Sequence, residues 1–258
     1  MFAATIAVTA VFADTPPSRG RLPLVPFTVA QGLPSDTIDA LYADSRGYLW
    51  FGTSEGLARF DGAHFVVYAH DDGLPDRDIR SIVEDRAGNL WIGAIGGAMR
   101  LDPNTTNARH PFVAAEGTQP TNVLFVDHSG TLWASCVDGN LCAVRGGRSS
   151  IDPAFRRAGG KRILSIAEDP GGGLWVGTDG GLMHRPRGGS WRHYDVHPDK
   201  GMDRCWSLYV DDAGRVWICH SFGIVIVNPA PDEPDRRSLD ERAVHTLAPG
   251  ALRLPRRG

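Results

Sequence analysis

Asp44, Asp85, Asp127, Asp169 and Asp211 recur at intervals of 41, 42, 42 and 42 residues, and carboxylates on such a grid raise the question of metal ligation. Each stands alone in its copy of the pattern, and one carboxylate per turn does not build the oxygen-rich shell that a hard cation needs. Three residues after each Asp comes a glycine, Gly47, Gly88, Gly130, Gly172 or Gly214. The pair supplies a hairpin turn instead: a side-chain acceptor for backbone N–H groups and a residue free to turn left-handed. The nine histidines are scattered, no Ser-His-Asp or paired-carboxylate spacing stands out, and no catalytic residue is assigned. Cys136, Cys142, Cys205 and Cys219 form no C-x-x-C or Cys/His pattern, so neither a metal site nor a cofactor is expected. Pairings 136–142 and 205–219 are the geometrically local disulfides of an exported chain, although small apolar residues within strands are the favoured reading.

The elements that carry these residues are read from the same period. Trp50, Trp91, Trp133, Trp175 and Trp217 follow the five aspartates by six residues each, so the chain is an array of one supersecondary unit. Apolar runs such as Ile79–Glu84 precede each Asp and β-branched or aromatic residues follow each Gly, which places two strands around D-x-x-G. A third strand follows in Gly56–Asp61, Gly97–Asp102, Gly181–Arg185 and Gly223–Val227, and a fourth in Phe65–Tyr68 and Trp191–Tyr194. Four short antiparallel strands in about 42 residues match a propeller blade. The fold expected is all-β, a β-propeller of four-stranded antiparallel blades with five recognisable copies, as an incomplete seven-bladed ring. The constant place of the tryptophans in the second strand predicts packing between blades, not sugar stacking.

Loops on a rigid scaffold are the usual seat of recognition. With the first strand innermost, the turns between second and third strands and the connections between blades emerge on one face, where sequence varies most. Glu55, Asp72, Arg77, Asp138, Asp179, Arg204 and Phe222 are the candidate ligand-binding residues there, a mixture suited to an unknown small ligand, a sugar or an acidic oligosaccharide.

A net charge of −3 and a pI near 6.3 supply no basic field, which argues against a nucleic-acid partner. Residues 1–13 resemble a signal peptide too short to span a bilayer, which predicts export to the periplasm or another extracytoplasmic space. Residues 14–29 read as a linker or the start of a closing strand, 30–230 as the repeats, and 231–258 as a degenerate or disordered tail. In that tail Ala243–Ala248 has the character of a first strand. Five blades without a capping device would leave two open sheet faces, so a truncated or frameshifted chain is the expectation.

The text from Gly32-Leu33-Pro34 through Gly56-Leu57-Ala58-Arg59-Phe60-Asp61-Gly62, and again from Gly73-Leu74-Pro75 through Trp91-Ile92-Gly93, resembles the two-component regulator propeller repeat. The resemblance covers roughly residues 30 to 228 and weakens toward the C-terminus. It implies the periplasmic sensor portion of a membrane-anchored bacterial receptor whose output is a histidine kinase or diguanylate cyclase. Membrane attachment would come only through regions C-terminal to this portion, and the full-length receptor could form a homodimer. Two alternatives stand beside it: an enzyme similar to the streptogramin lyases, which share the period and the G-x-L-W-F segment, and a plain protein-interaction propeller.

Overall fold

The structure is a computed structural model that describes residues 25–74, 76–101, 112–118, 120–196, 203–221 and 223–227, and the backbone of 244–246. These residues form five four-stranded sheets in chain order. The first contains β1 (Ile38–Ala43), β2 (Leu49–Thr53), β3 (Gly56–Phe60) and β4 (Phe65–Tyr68); the second β5 (Ile79–Glu84), β6 (Leu90–Ala94), β7 (Gly97–Leu101) and β8 (Phe112–Ala114). The third contains β9 (Leu124–Val126), β10 (Leu132–Cys136), β11 (Asn140–Arg145) and β12 (Arg148–Ile151). A short helix α1 (Pro153–Arg157) leads to the fourth, β13 (Ile163–Glu168), β14 (Leu174–Thr178), β15 (Gly181–Arg185) and β16 (Arg192–Tyr194). The fifth contains β17 (Cys205–Val210), β18 (Val216–His220), β19 (Gly223–Val227) and β20 (Val244–Thr246). Within each sheet the strands pair antiparallel with their sequence neighbours, and first strands contact first strands of the next blade, β1 on β5, β5 on β9, β9 on β13 and β13 on β17. The first strand is therefore innermost, and the architecture is propeller-like.

Each D-x-x-G turn is a type I turn with a glycine bulge. Asp44 N–H donates to Tyr48 O and Gly47 N–H to Asp44 O, both at 3.0 Å, while Gly47 sits at φ 88°, and the other four copies repeat the pair of bonds. Only a residue without Cβ takes that φ at no steric cost.

A second glycine, two residues after Trp, has a different cause. A Cβ on Gly52 would lie 2.8 Å from Ile79 Cγ2, and one on Gly177 would lie 2.6 Å from Cys205 O. The first strand of the next blade passes directly over this position, so close packing between blades requires its bare backbone. The pairing of first and second strands shifts register at Ile38/Ala40, Ile79/Ser81, Ile163/Ser165 and Cys205/Ser207. A bulge lets residues three apart face one side. Ile79 and Ile82 are accordingly both buried against blade 1, and Ile163 and Ile166 both against blade 3. The β9 strand is shorter; on β10 of the same blade Ser135 stands in the glycine's place and its Oγ accepts from Asn122 N–H and Val123 N–H at 3.0 and 3.1 Å.

Four of the five repeat tryptophans lie in the core between blades, where their constant position places them, while Trp217 is half-buried. Trp50 packs with Ile79, Leu90 and Ile92; Trp91 with Leu124 and Leu132; Trp133 with Ile163 and Val176; Trp175 with Cys205, Val216 and Ile218.

Three features depart from the sequence reading. Val244–Thr246 is not a first strand: it pairs with β19 as the fourth strand of blade 5, because Val225–Val227 offers a free backbone edge there. Cys136 and Cys142 are joined in a disulfide with Cα atoms 6.2 Å apart, whereas Cys205 and Cys219 are free, so the strand-residue reading holds only for the second pair. Helix α1 was not foreseen, although Asp152-Pro153 carries its start signal. Asp152 Oδ1 accepts from Ala154 N–H, and Pro153 occupies the first turn, where its missing N–H costs nothing. The helix drives Phe155 into the core edge-on to Trp191.

Candidate ligand-binding site

The two ends of the blades differ in construction. At the D-turn end, each Asp is fully employed. One carboxylate oxygen accepts backbone N–H groups of its own turn, and the other accepts the Trp Nε1–H six residues on, at 2.9, 2.8, 2.8, 3.2 and 3.0 Å from Trp50 through Trp217. The turn and the core aromatic are thus one device. Sequence reasoning assigned Asp to the turn and Trp to the core but missed the bond between them; the invariant six-residue spacing was its signal. Burial pushes the Asp85 and Asp127 carboxyls up, and the hydrogen bonds from Trp, from Asn89 or Ser129, and from the turn backbone outweigh it, so both lie below the usual range. These carboxylates stay ionised as structural acceptors.

Next to those turns, polar bonds cross from blade to blade around the axis. Ser45 N–H and Oγ–H donate to Glu84 at 2.8 and 2.6 Å, Arg86 Nη2 donates to His128 O, and His128 N–H donates to Glu168 Oε2 at 2.6 Å with its Nδ1 on the same oxygen at 2.7 Å. Glu84 and Glu168 each directly precede a turn Asp, and that Glu-Asp pair in two copies was the overlooked sequence signal. Two cavities open here. A cleft of about 820 Å³ lies between the turns of blades 3 and 4 and is walled by His128, Glu168, Pro170–Gly172 and Arg185–Gly189. An axial pocket of about 550 Å³ is lined by the ends of the inner strands, including Glu84, Phe125, Ile166, Glu168, Leu208 and Tyr209.

The candidate residues read from sequence lie at the opposite end. Glu55 occupies the β2–β3 turn, Asp138 the β10–β11 turn and Asp179 the β14–β15 turn; Asp72, Arg77 and Arg204 stand in connections between blades. Glu55 and Arg77 are brought together as an exposed ion pair at 3.7 Å, and the Arg204 guanidinium lies 5.5 Å from the ring centre of the exposed Trp206. Asp72 is occupied in its own turn, where it accepts from Ala69 N–H at 2.8 Å. Asp138 stands at φ 58° in a turn spanned by the Cys136–Cys142 disulfide, and Asp179 N–H donates to Arg162 O. Among the described residues no hydrogen bond or ion pair joins Asp72, Asp138 or Asp179 to the other candidates; Phe222 lies outside the described residues.

Behind this face Asp203 accepts from Val196 N–H at 2.6 Å and contacts the buried His220 Nε2 at 2.9 Å. Burial, reinforced by Asp203, pushes the Cys205 thiol up to about 12, so it is protonated at neutral pH and no nucleophile. Among the described residues no group of three or more His, Cys, Asp or Glu is placed to hold a metal ion.

Radially stacked four-stranded blades with a pocket on their axis define a propeller-type repeat protein. Its repeats match the family model described as two component regulator propeller at residues 32–55, 73–96 and 158–180, the entry segments of blades 1, 2 and 4. Among solved structures it is similar to the extracellular domain of BT4673 from B. thetaiotaomicron, assigned as a hybrid two component system, with 23% identity and a TM-score of 0.62 over 82% of this chain and 31% of that one. A catalytically inactive virginiamycin B lyase from Staphylococcus aureus, solved with quinupristin, is similar at 14% identity and a TM-score of 0.61, over 78% of this chain and 70% of that one. These likenesses establish the fold, and the chain spans less than a third of the length of the BT4673 domain. No curated protein sequence matches the chain.

Proposed function

We propose that this chain is the ligand-sensing propeller portion of an extracytoplasmic signalling receptor, a binding module and not an enzyme. Fold likeness alone does not separate this reading from a lyase, because the TM-scores of 0.62 and 0.61 are equivalent. The observation that carries it is the repeat text itself, matched in three copies to the two component regulator propeller. Extracellular placement of the similar BT4673 domain supports export, and so does the Cys136–Cys142 disulfide, since such bonds persist in oxidising compartments.

Recognition is assigned to the β2–β3 face. The exposed Glu55–Arg77 pair supplies charged donors and acceptors on blades 1 and 2, and Arg204 with the exposed Trp206 supplies a charged and aromatic surface on blade 5, groups suited to an oligosaccharide, with Asp72, Asp138, Asp179 and Phe222 as further loop contributors. The test is thermal unfolding of the purified protein against a panel of neutral and acidic oligosaccharides, because a ligand that binds only the folded state raises the midpoint by mass action. A saturable rise with one glycan class is expected, lost in the Arg77→Ala/Arg204→Ala double variant. A midpoint indifferent to every glycan sinks the oligosaccharide assignment.

A further inference from the structure

We infer that the corner of the β2–β3 face between blades 4 and 5 is a subsite for a uronate, a pyranose ring bearing a carboxylate, stacked on Trp206 and held by Lys161 and Arg204. The inference rests on the assignment of recognition to this face and names the sugar class. Trp206 carries it. Of the seven tryptophans six donate to an aspartate, whereas Trp206 does not and is 48% exposed. It stands five residues before its turn Asp, a place held by Asp39, Arg80, Asn122 and Leu164 in blades 1 to 4, so the blade itself asks for no aromatic there. In register it is the extra residue between Cys205 and Ser207, opposite no residue of β18. Cys205 is buried beside Trp175, and the bulge releases the next side chain from that contact, a device that re-aims side chains at sites. The ring is nevertheless fixed: Nε1–H donates to Ser221 Oγ at 3.2 Å, and the Arg204 guanidinium lies 5.5 Å from its centre. A rigid, half-open aromatic platform at the end of an innermost strand suits the apolar face of a sugar ring.

The surroundings select the sign of charge. The segment before Trp206 is joined to the β14–β15 turn of blade 4, where Gly181 N–H donates to Asp203 O at 2.6 Å. Lys161 lies across that same turn: a Cβ on Gly180 would run into its stem and stand 2.7 Å from its Nζ. Arg162 borders the turn as well, its carbonyl accepting from Asp179 N–H at 3.1 Å. Lys161, Arg162 and Arg204 are all exposed, and among the described residues none of the three is in an ion pair. Elsewhere on this face the cations are matched, Arg77 with Glu55 at 3.7 Å and Arg80 with Asp78 at 2.6 Å. At the corner Asp203 accepts from Val196 N–H and contacts His220, and Asp195 lies 3.9 Å from His193, which leaves Asp179 against three cations. A carboxylate on the stacked ring would meet an ammonium and a guanidinium, and charge-assisted bonds of that kind are the stronger ones.

The indole N–H signals of nitrogen-15-labelled protein decide it, with the Trp206 signal identified by its loss in Trp206→Phe. The probes are trigalacturonate and triglucuronate, each against its methyl ester, which keeps the ring and removes the charge. One of the uronates is expected to shift the Trp206 signal saturably while the other six stay in place, and to bind about tenfold tighter than its ester. Lys161→Gln/Arg204→Gln should bring the acid down to the affinity of the ester. Trp206→Ala should abolish binding of both and leave the melting midpoint of the free protein unchanged, because the ring is exposed. A Trp206 signal unmoved by both uronates, or acid and ester bound equally tightly, overturns the subsite. Should a neutral glycan raise the midpoint with the Trp206 signal unmoved, this inference fails alone; a midpoint indifferent to every glycan, uronates included, removes the face assignment with it.

Discussion

The contact between blades 4 and 5 and the outer side of blade 5 are built from nearly the same words and have different fates. Trp175 is 2% exposed, covered by Cys205, Val216 and Ile218 of the next blade and stacked on His184 at 3.8 Å. Trp217 occupies the same place in its own blade, with the same bond to its turn Asp at 3.0 Å, yet it is only half-buried. Around it the sheet exposes Tyr209 and Ile224, and Cys219, standing where Gly177 stands in blade 4, is exposed. The turn and its Asp–Trp clamp therefore form from local sequence alone. Burial of the tryptophan is conferred by the neighbour.

Substitution of the two tryptophans gives the widest separation. Trp175→Ala should cost about 3–5 kcal/mol in urea denaturation, the range for a large buried aromatic, and Trp217→Ala about half that or less. Equal losses would mean that the outer side of blade 5 is covered in solution, and the comparison would fail. Next comes the bare backbone. Gly177→Ala places a methyl 2.5 Å from Ser165 Oγ and 2.6 Å from Cys205 O and should cost about 1–3 kcal/mol by overpacking, while Cys219→Ala should stay within about 0.5 kcal/mol.

Acid sharpens the contrast further. Burial lowers the His184 pKa against the opposing pull of Asp169, so the unfolded chain takes up a proton at a higher pH than the folded one. Its stabilising contribution is complete above the ordinary value of 6.5 and is lost as pH falls from there through the folded pKa. Asp85 and Asp127, both lowered, add a second loss below about 3.8. Melting temperature should therefore fall in two stages on acidification, and His184→Gln should abolish the first. A first stage that survives the substitution would assign it elsewhere. The smallest effect is expected from Ser45→Ala, which removes one exposed hydrogen bond to Glu84 and should lower stability by about 0.5–1 kcal/mol without altering blade order.

Legibility followed the range of the interactions. The blade, its turn and the buried tryptophans could be read because D-x-x-G-x-L-W encodes contacts within six residues, repeated often enough to exclude chance. The Thr53 and Thr178 turns were similarly local, each hydroxyl donating to a carbonyl three residues on at 2.8 Å. Polar contacts that cross blades were not legible. Nothing adjacent to Glu168 announces that His128, forty residues earlier, bonds to one of its oxygens. Nor does the text around Cys136 distinguish a disulfide partner from a strand residue, since that depends on how the β10–β11 turn brings two Cα atoms to 6.2 Å.

By itself, then, the sequence determined the unit: period, strand order, turn chemistry and the residue that would lie between blades, all properties of local hydrogen bonding and side-chain size. Only the tertiary structure decided what the stacking of units creates. It explained the second glycine through the passage of the next blade overhead, assigned Val244–Thr246 to an unfilled strand edge, and gathered the ends of several inner strands around one axis. A pocket exists only where separate blades converge, and no one copy of the repeat contains the information for it.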